Sequence, residues 1–249
     1  MSCYLCGANS AKKIANKIRD VSGVSVYRCN QCGLVFLSSF DHISENFYEE
    51  SNMHEEGQNF KQWLKETLKD DKRRFKSLKS EIAGKNVLDF GAGNGGFLNL
   101  AKEVCRSVTA VEPDRQTHLF FKEEKIQFYK NLNEIPIEKK FDVITAFHVI
   151  EHLKDPIDFL KNITKHLTRN GILYLEFPNS DDALLSLYKS KKFSNFTYWG
   201  CHLMLFNEET IDKIVQKSGL ACKEIKQVQR YPLSNHLFWV SMIVTGKQH

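Results

Sequence analysis

No apolar run in this chain approaches the roughly 18 residues that a helix needs to cross a bilayer, so nothing in it reads as a membrane span. The start, "MSCYLCGANSAKK", lacks the apolar centre of a secretory signal, and a cytoplasmic location is expected. Strong charge of one sign is missing too. The formal charge is +5, and four metal-bound thiolates with one divalent ion would bring it to roughly +3, a weak bias. The basic runs "KDDKRRFKSLK" (69–79) and "KSKK" (189–192) read as solvated helix faces rather than a nucleic-acid surface, because acids interleave the first. A disulfide framework is also excluded: the cysteines number seven, and an odd total without a signal peptide argues against paired bridges. What is present, 42% apolar residues and 12% aromatics in 249 residues, suffices for one large α/β domain with a small appendage.

Four of the seven cysteines fall in the first 32 residues, as "CYLCG" (Cys3, Cys6) and "CNQCG" (Cys29, Cys32). Two residues between cysteines let a tight turn put both sulfurs on one tetrahedral ion, and Gly7 and Gly33 can take the positive φ such a turn requires. Four thiolates fill the coordination sphere, so a closed, structural zinc is expected rather than free thiols or a redox dithiol. Between the pairs, "VSVYRC" and "GLVFL" alternate as a small hairpin with little other core, a piece that needs its metal to fold.

Residues 41–57, "DHISENFYEESNMHEEG", are acidic and without period, and read as a linker. From Phe60 to Ile82 apolar residues recur mainly at three and four, giving an amphipathic helix that ends near Gly84. Then "KNVLDFGAGNGGFLNLAKEV" supplies a short strand, Asp89, a turn with Gly91, Gly93, Gly95 and Gly96, and a helix. Glycines there allow close approach of a ligand, whose volume a Cβ would otherwise occupy. The next strand, "SVTAVEPD", ends in Glu112, about 20 residues past the turn, where a carboxylate accepts from both ribose hydroxyls. Gly91, Gly93 and Gly96 also satisfy a dinucleotide fingerprint, but Asp89 just before them would repel a pyrophosphate and suits the ammonium of a methionine moiety.

The segments "VLDFGAGNGG", "VEPD", "FDVITAFHVIEHLKDP" and "LTRNGILYLEFPN" together resemble the successive motifs of class I S-adenosylmethionine-dependent methyltransferases, over roughly residues 60–249. With the cysteines included, the chain is similar to a zinc-ribbon-bearing branch that contains sugar methyltransferases. The resemblance implies a Rossmann-like seven-stranded α/β sheet beside a small four-cysteine zinc module. It implies that Gly91, Ala92, Gly93 and Gly95 line the methionine end, that Asp89 supports it, and that Glu112 binds the ribose. Pro113 and Asp114 would flank the adenosine, and where many relatives carry an acid for the adenine amine "FYKNLNEI" offers Asn131 or Asn133; Phe147 is a further cofactor-binding candidate.

Alternation of pattern supports the same fold independently. Strands are expected at 86–90, 107–111, 126–129, 141–146 and 171–177, with helices near 95–104, 115–124 and 156–168. An insertion (180–204), a helix over "NEETIDKIVQKSGL" and strands near 221–228 and 237–245 follow. The expected organisation is a zinc module (1–40), a linker and amphipathic helix (41–83) and a cofactor-binding domain (84–249).

"FHVIEH" places His148, Glu151 and His152 in the order of the inverted metalloprotease signature. That signature must lie inside a helix, whereas "KFDVITAF" before it is a parallel-strand run and "LKDP" after it leads to a helix at Pro156. The motif is therefore expected on the loop leaving the fourth strand, as one wall of a methyl-transfer site. Methyl transfer to a hydroxyl or acidic carbon needs a base, for which His148, His152, Glu151, His202 and His236 are candidates; for any one of them a structural role, as a cap or a satisfied core hydrogen-bonding group, is the stronger reading. Tyr198 and Tyr231 are substrate contacts or core. The expected acceptor is a small polar molecule, foremost a sugar or sugar-nucleotide. The alternatives are RNA methylation with a zinc module, disfavoured by the weak charge and the lack of an RNA-binding aromatic motif, and a non-catalytic zinc-stabilised binding protein.

Overall fold

The computed structural model describes residues 2–44, 47–50, 60–230 and 235. In chain order its strands are β1 (Ala11–Ala15), β2 (Val26–Cys29), β3 (Val35–Leu37), β4 (Asn86–Phe90), β5 (Ser107–Val111), β6 (Gln127–Tyr129), β7 (Phe141–Phe147), β8 (Leu167–Glu176) and β9 (Met204–Leu205). Its α-helices are α1 (Phe47–Glu50), α2 (Phe60–Ile82), α3 (Gly96–Ala101), α4 (His118–Glu123), α5 (Pro156–Ile163), α6 (Ala183–Ser186), α7 (Lys191–Thr197) and α8 (Glu208–Lys217). The chain divides into two compact units.

One unit comprises Ser44–Ile150 and Lys161–Glu176. Its five strands are parallel, in the order β6-β5-β4-β7-β8. Val87, Leu88, Ala110, Val111, Ile144 and Ala146 are buried, the near-continuous apolar runs of parallel strands covered on both faces, interrupted by the buried Asp89, Thr109 and Thr145. Leu78 and Ile82 of α2 join Phe97, Leu98 and Phe121 in the same core. Strand order reverses at β4, which β5 flanks on one side and β7 on the other. In open α/β sheets ligands bind outside the carboxyl ends of the strands at such a reversal.

Among the described residues the parallel sheet has five of the seven expected strands. Residues 221–230 form no strand, and Ile225 and Val228, three apart, would point to opposite faces of one; both are exposed. The other expected strand, 237–245, lies outside the described residues, as do Tyr231 and His236.

A glycine contrast tests this packing. Gly95 has φ +74°, and a Cβ on it would meet a Phe121 ring carbon at 2.5 Å, whereas Gly7 has φ +73° with nothing nearby. Gly7→Ala is expected to cost about 1 kcal/mol, the left-handed penalty alone. Gly95→Ala adds overpacking and is expected to cost about 2–4 kcal/mol in chemical denaturation.

The other unit draws on Met1–Ile43, Glu151–Leu160 and Phe177–His249. Strands β1-β2-β3-β9 form an antiparallel sheet. The expected β2–β3 hairpin is present, but with more core than sequence suggested: Leu5, Leu34, Val35, Leu203, Met204 and Phe206 are all buried, and Val35 and Phe36 pair with Leu205 and Met204. Helix α8 starts in a capping box, the Asn207 side chain accepting from Thr210 N at 2.9 Å and Thr210 Oγ1 from Asn207 N at 2.8 Å. Gly219 follows it at φ 80°.

Candidate active site

At the carboxyl end of β4 the chain enters the glycine turn. Asp89 is buried, and its Oδ1 accepts from Thr145 Oγ1 on β7 at 2.7 Å. Burial, against that hydrogen bond and the charge of Arg74, pushes its pKa up to about 7. Glu112, leaving β5, straps the turn: Oε2 accepts from Gly93 N at 2.7 Å and Oε1 from Asp114 N at 3.0 Å. Burial raises this carboxyl to about 7 despite both bonds. A third acid, Asp71 of α2, is also buried and shifted upward by burial; among the described residues its Oδ2 accepts no hydrogen bond.

The glycines prove to be required mainly by the protein itself. A Cβ on Gly91 would strike Val149 at 2.5 Å, one on Gly95 would strike Phe121, and one on Gly96 would meet Asp71 Oδ2 at 2.3 Å. Only Gly93, at φ 53°, has ordinary clearance, 3.5 Å from Trp63. Helix α2 thus brings Trp63, Thr67 and Asp71 onto the turn, with Asn94 Nδ2 donating to Thr67 Oγ1 at 2.9 Å. The run 69–79, expected as a solvated face, buries Asp71, for which Gly96 leaves room, and most of Arg74, which packs on Phe147 and pairs with Glu176.

Phe147 ends β7, edge-on to Phe97 at 5.1 Å, with the Arg74 guanidinium 4.6 Å above its ring. Ala92 packs at the margin of the core. Pro113 is half-buried. Asn131 is exposed, and its side chain caps a local turn, accepting from Asn133 N at 3.1 Å.

His148 follows β7 in the left-handed conformation, φ 56°, and Ile150–His152 make a single 3-10 turn, so the motif is not within an α-helix. His148 Nε2 lies 3.3 Å from Glu176 Oε1 at the end of β8, and His148 N donates to Glu176 O at 2.7 Å. Glu176 also accepts from Arg73 Nη2 at 2.8 Å and Arg74 Nη2 at 2.7 Å. Burial opposes this carboxylate, but hydrogen bonds from His148, Arg74 and Arg73 outweigh it and hold the pKa well below the usual range. Sequence reasoning missed Glu176, Arg73 and Arg74, since only the fold joins α2 to β8. Glu176→Ala leaves two arginines with a buried charge deficit and is expected to destabilise by about 3–5 kcal/mol, read as a fall in melting temperature of roughly 6–20 °C.

In the other unit, Cys3, Cys6, Cys29 and Cys32 place their sulfurs within 4.8 Å of one another. Cys3 and Cys32 are 3.5 Å apart, as are Cys6 and Cys29. The two turns repeat: Gly7 N donates to Cys3 O at 2.8 Å and Gly33 N to Cys29 O at 3.0 Å, at φ 73° and 81°. Burial opposes the Cys29 thiolate, yet backbone N–H groups of Cys32 and Gln31, with the neighbouring thiols, bring its pKa to about 7. Glu151 and His152 gather with His202, donor atoms again within 4.8 Å. Trp199 stands edge-on to both imidazoles, 6.0 and 5.4 Å away, under the Arg19 guanidinium at 4.6 Å.

Among the described residues no helix is long and apolar enough to cross a membrane. A family model described as "Methyltransferase domain" matches residues 58–225. The chain is 30% identical over 109 residues to a protein of Mycolicibacterium smegmatis named "Probable S-adenosylmethionine-dependent methyltransferase", covering 42% of each chain. It is 33% identical over 104 residues to a tRNA U34 carboxymethyltransferase of Campylobacter concisus, covering 38% of this chain and 36% of that protein. It thus spans less than half the length of either relative. An O-methyltransferase family protein from Burkholderia thailandensis shares the fold at 15% identity and TM-score 0.54, over 73% of this chain and 60% of that one.

Proposed function

The chain belongs to the methyltransferase-domain family; on that premise we propose that it is an S-adenosylmethionine-dependent methyltransferase that methylates a small polar acceptor, foremost a sugar or sugar-nucleotide of surface-polysaccharide or secondary-metabolite biosynthesis. We place it in the cytoplasm and assign a structural zinc to Cys3, Cys6, Cys29 and Cys32.

The observation that carries the cofactor reading is the set of three buried carboxylates around the glycine turn. Asp71, Asp89 and Glu112 all have pKa values raised by burial. Such a site is stabilised by an incoming cation and by hydroxyl donors. Bound S-adenosylmethionine supplies a methyl group on a sulfonium, an ammonium and two ribose hydroxyls. Glu112 exchanges its bond from Gly93 N for the ribose hydroxyls. Asp89 holds the turn from below, Gly91, Ala92, Gly93 and Gly95 border the methionine end, and Pro113, Asn131 and Phe147 border the adenosine. With Nε2 turned to Glu176, His148 uses Nδ1 to take the acceptor's proton. Glu151, His152 and His202 bind the acceptor.

The cysteines fit zinc: sulfurs at about 2.3 Å from a tetrahedral ion stand about 3.8 Å apart, and the two closest pairs here are at 3.5 Å. Calorimetric titration with S-adenosylhomocysteine tests the cofactor reading; saturable one-to-one binding is expected, and its absence sinks the reading. A panel of nucleotide sugars with labelled cofactor tests the acceptor.

RNA remains a second reading, favoured by the tRNA-modifying relative. It predicts salt-sensitive RNA binding and label transfer to tRNA, neither of which the sugar reading allows.

A further inference from the structure

We propose that the tip joining α6 to α7 docks on an anionic phospholipid surface, holding the protein at the face of a membrane without crossing it. Among the described residues nine large apolar side chains stand well exposed, and three of them, Leu187 at 71%, Tyr188 at 45% and Phe196 at 47%, fall within ten positions. Lys189, Lys191 and Lys192 lie between them, all exposed, while residues 183–207 contain no aspartate or glutamate. Exposed apolar and aromatic groups interleaved with cations are the pattern of an interfacial anchor. The apolar groups enter the headgroup boundary and the lysines meet lipid phosphates.

The tip is built firmly around this display. Leu187 N and Tyr188 N both donate to Ala183 O, at 3.0 and 2.8 Å, and Ser190 N donates to Leu184 O at 2.8 Å. The buried Ser190 caps α7, its Oγ accepting from Phe193 N at 3.3 Å, and the buried Leu184 and Phe193 anchor the two helices. Leu187 is therefore held outward by a hydrogen-bonded turn rather than by slack in the chain. Between the helices Lys189 takes φ 48°, a left-handed conformation that folding stability alone would give to glycine.

The lysines are also misplaced for local stability. Lys191 and Lys192 open α7, where the helix dipole is positive and an acid would be stabilising. The two acids before the tip do not offset them. Asp181 pairs with Arg28 at 2.8 Å and accepts from Asn207 at 2.7 Å, and the Asp182 side chain accepts from Leu184 N at 2.8 Å. Lys192 lies one helical turn before Phe196, and the Arg19 guanidinium stands 5.8 Å from the centre of that ring, so positive charge flanks the exposed phenyl. Charge of one sign, out of place for the helix that carries it, calls for an anionic partner outside the protein. Among anionic surfaces a bilayer also takes up Leu187, an aliphatic group on which no nucleic-acid base stacks.

Flotation of the full-length protein with vesicles tests the proposal, whatever the protein methylates. Vesicles of phosphatidylcholine with about 30% phosphatidylglycerol should bind it at least about 10-fold more tightly than phosphatidylcholine alone, and the difference should shrink as salt rises from about 0.1 M to about 0.5 M. Lys191→Gln combined with Lys192→Gln should weaken binding to the anionic vesicles about 30-fold, the loss for two lysines near a charged surface. Leu187→Ser should weaken it about 10-fold or more. Both variants change exposed side chains, so their melting temperatures should match or exceed that of the unmodified protein. Absence of vesicle binding, equal binding to neutral vesicles, or binding untouched by either variant overturns the proposal. Binding of a single-stranded RNA oligomer that the lysine variant loses, without vesicle binding, overturns it in favour of a nucleic acid.

Discussion

Cys29→Ser is expected to reduce methyl transfer by more than about 1,000-fold while leaving the affinity for S-adenosylhomocysteine within about threefold. Structural zinc contributes an apparent 10–16 kcal/mol or so to the folding of small modules, and the sheet that carries the cysteines is short-stranded. Cys29 is 2% exposed, with Cys6 3.5 Å away, so a serine there leaves three thiolates around an incomplete site. The segments that supply Glu151, His152 and His202 belong to the same compact unit. Gly200 N donates to Asp20 Oδ1 at 2.8 Å, Leu37 N donates to Leu203 O at 3.0 Å, and the Tyr4 hydroxyl reaches Asp155. Loss of the proposed zinc should therefore release the proposed acceptor-binding side chains. Asp71, Asp89, the glycine turn and Glu112 lie in the other unit, with its own core. Turnover within tenfold of the unmodified protein, or cofactor binding lost together with turnover, would contradict this division of labour. Metal analysis, steady-state assay and calorimetry on one preparation read all three quantities.

The strand-turn-helix-strand stretch was legible because its signals are local. Asp89, the glycines and Glu112 lie within one strand-turn-helix-strand stretch, and the apolar runs of β4, β5 and β7 are those of strands covered on both faces. The two turns of the cysteine cluster were legible for the same reason. What escaped was non-local. Met204 and Leu205 are two residues that become strand β9 only by pairing with β3, near the other end of the chain. Glu176 reads as the end of a strand, and Arg73 and Arg74 as members of a charged helical run, until the fold brings them together. The glycines illustrate a subtler limit. The sequence pattern suggests room kept for a ligand, whereas at Gly91, Gly95 and Gly96 the structure shows that a Cβ would meet Val149, Phe121 and Asp71.

Between pH 5.5 and pH 8 the cofactor-free protein is expected to lose stability as its affinity for S-adenosylhomocysteine rises. Asp89 and Glu112 carry pKa values of about 7 in the folded chain, against 3.8 and 4.5 as ordinary values. In the window between those values and 7 the folded state binds more protons than the unfolded one, so stability falls as pH rises. Each full shift corresponds to about 3–4 kcal/mol at most, and about 2–4 kcal/mol for the pair is expected once the groups couple. Glu176, held low, gives stability that is present above 4.5 and lost only as pH falls, so it is constant across this window. The ligand carries a cationic ammonium and two hydroxyl donors, all of which favour the ionised carboxylates, so its affinity moves the opposite way. Glu112→Gln isolates one of the two groups. The amide has one acceptor oxygen where the carboxylate serves both Gly93 N and Asp114 N, and it cannot ionise. This variant should bind S-adenosylhomocysteine about 50-fold or more weakly at pH 8, through loss of charge-assisted bonds to the ribose. Its stability should also fall less steeply with pH than that of the unmodified protein. Denaturant titrations at pH 5.5, 7 and 8.5 with calorimetry at each pH check both slopes. Stability that rises with pH, or a variant with an unchanged slope, would show that the buried carboxylates are already compensated and that the turn is not the cationic cofactor's cradle.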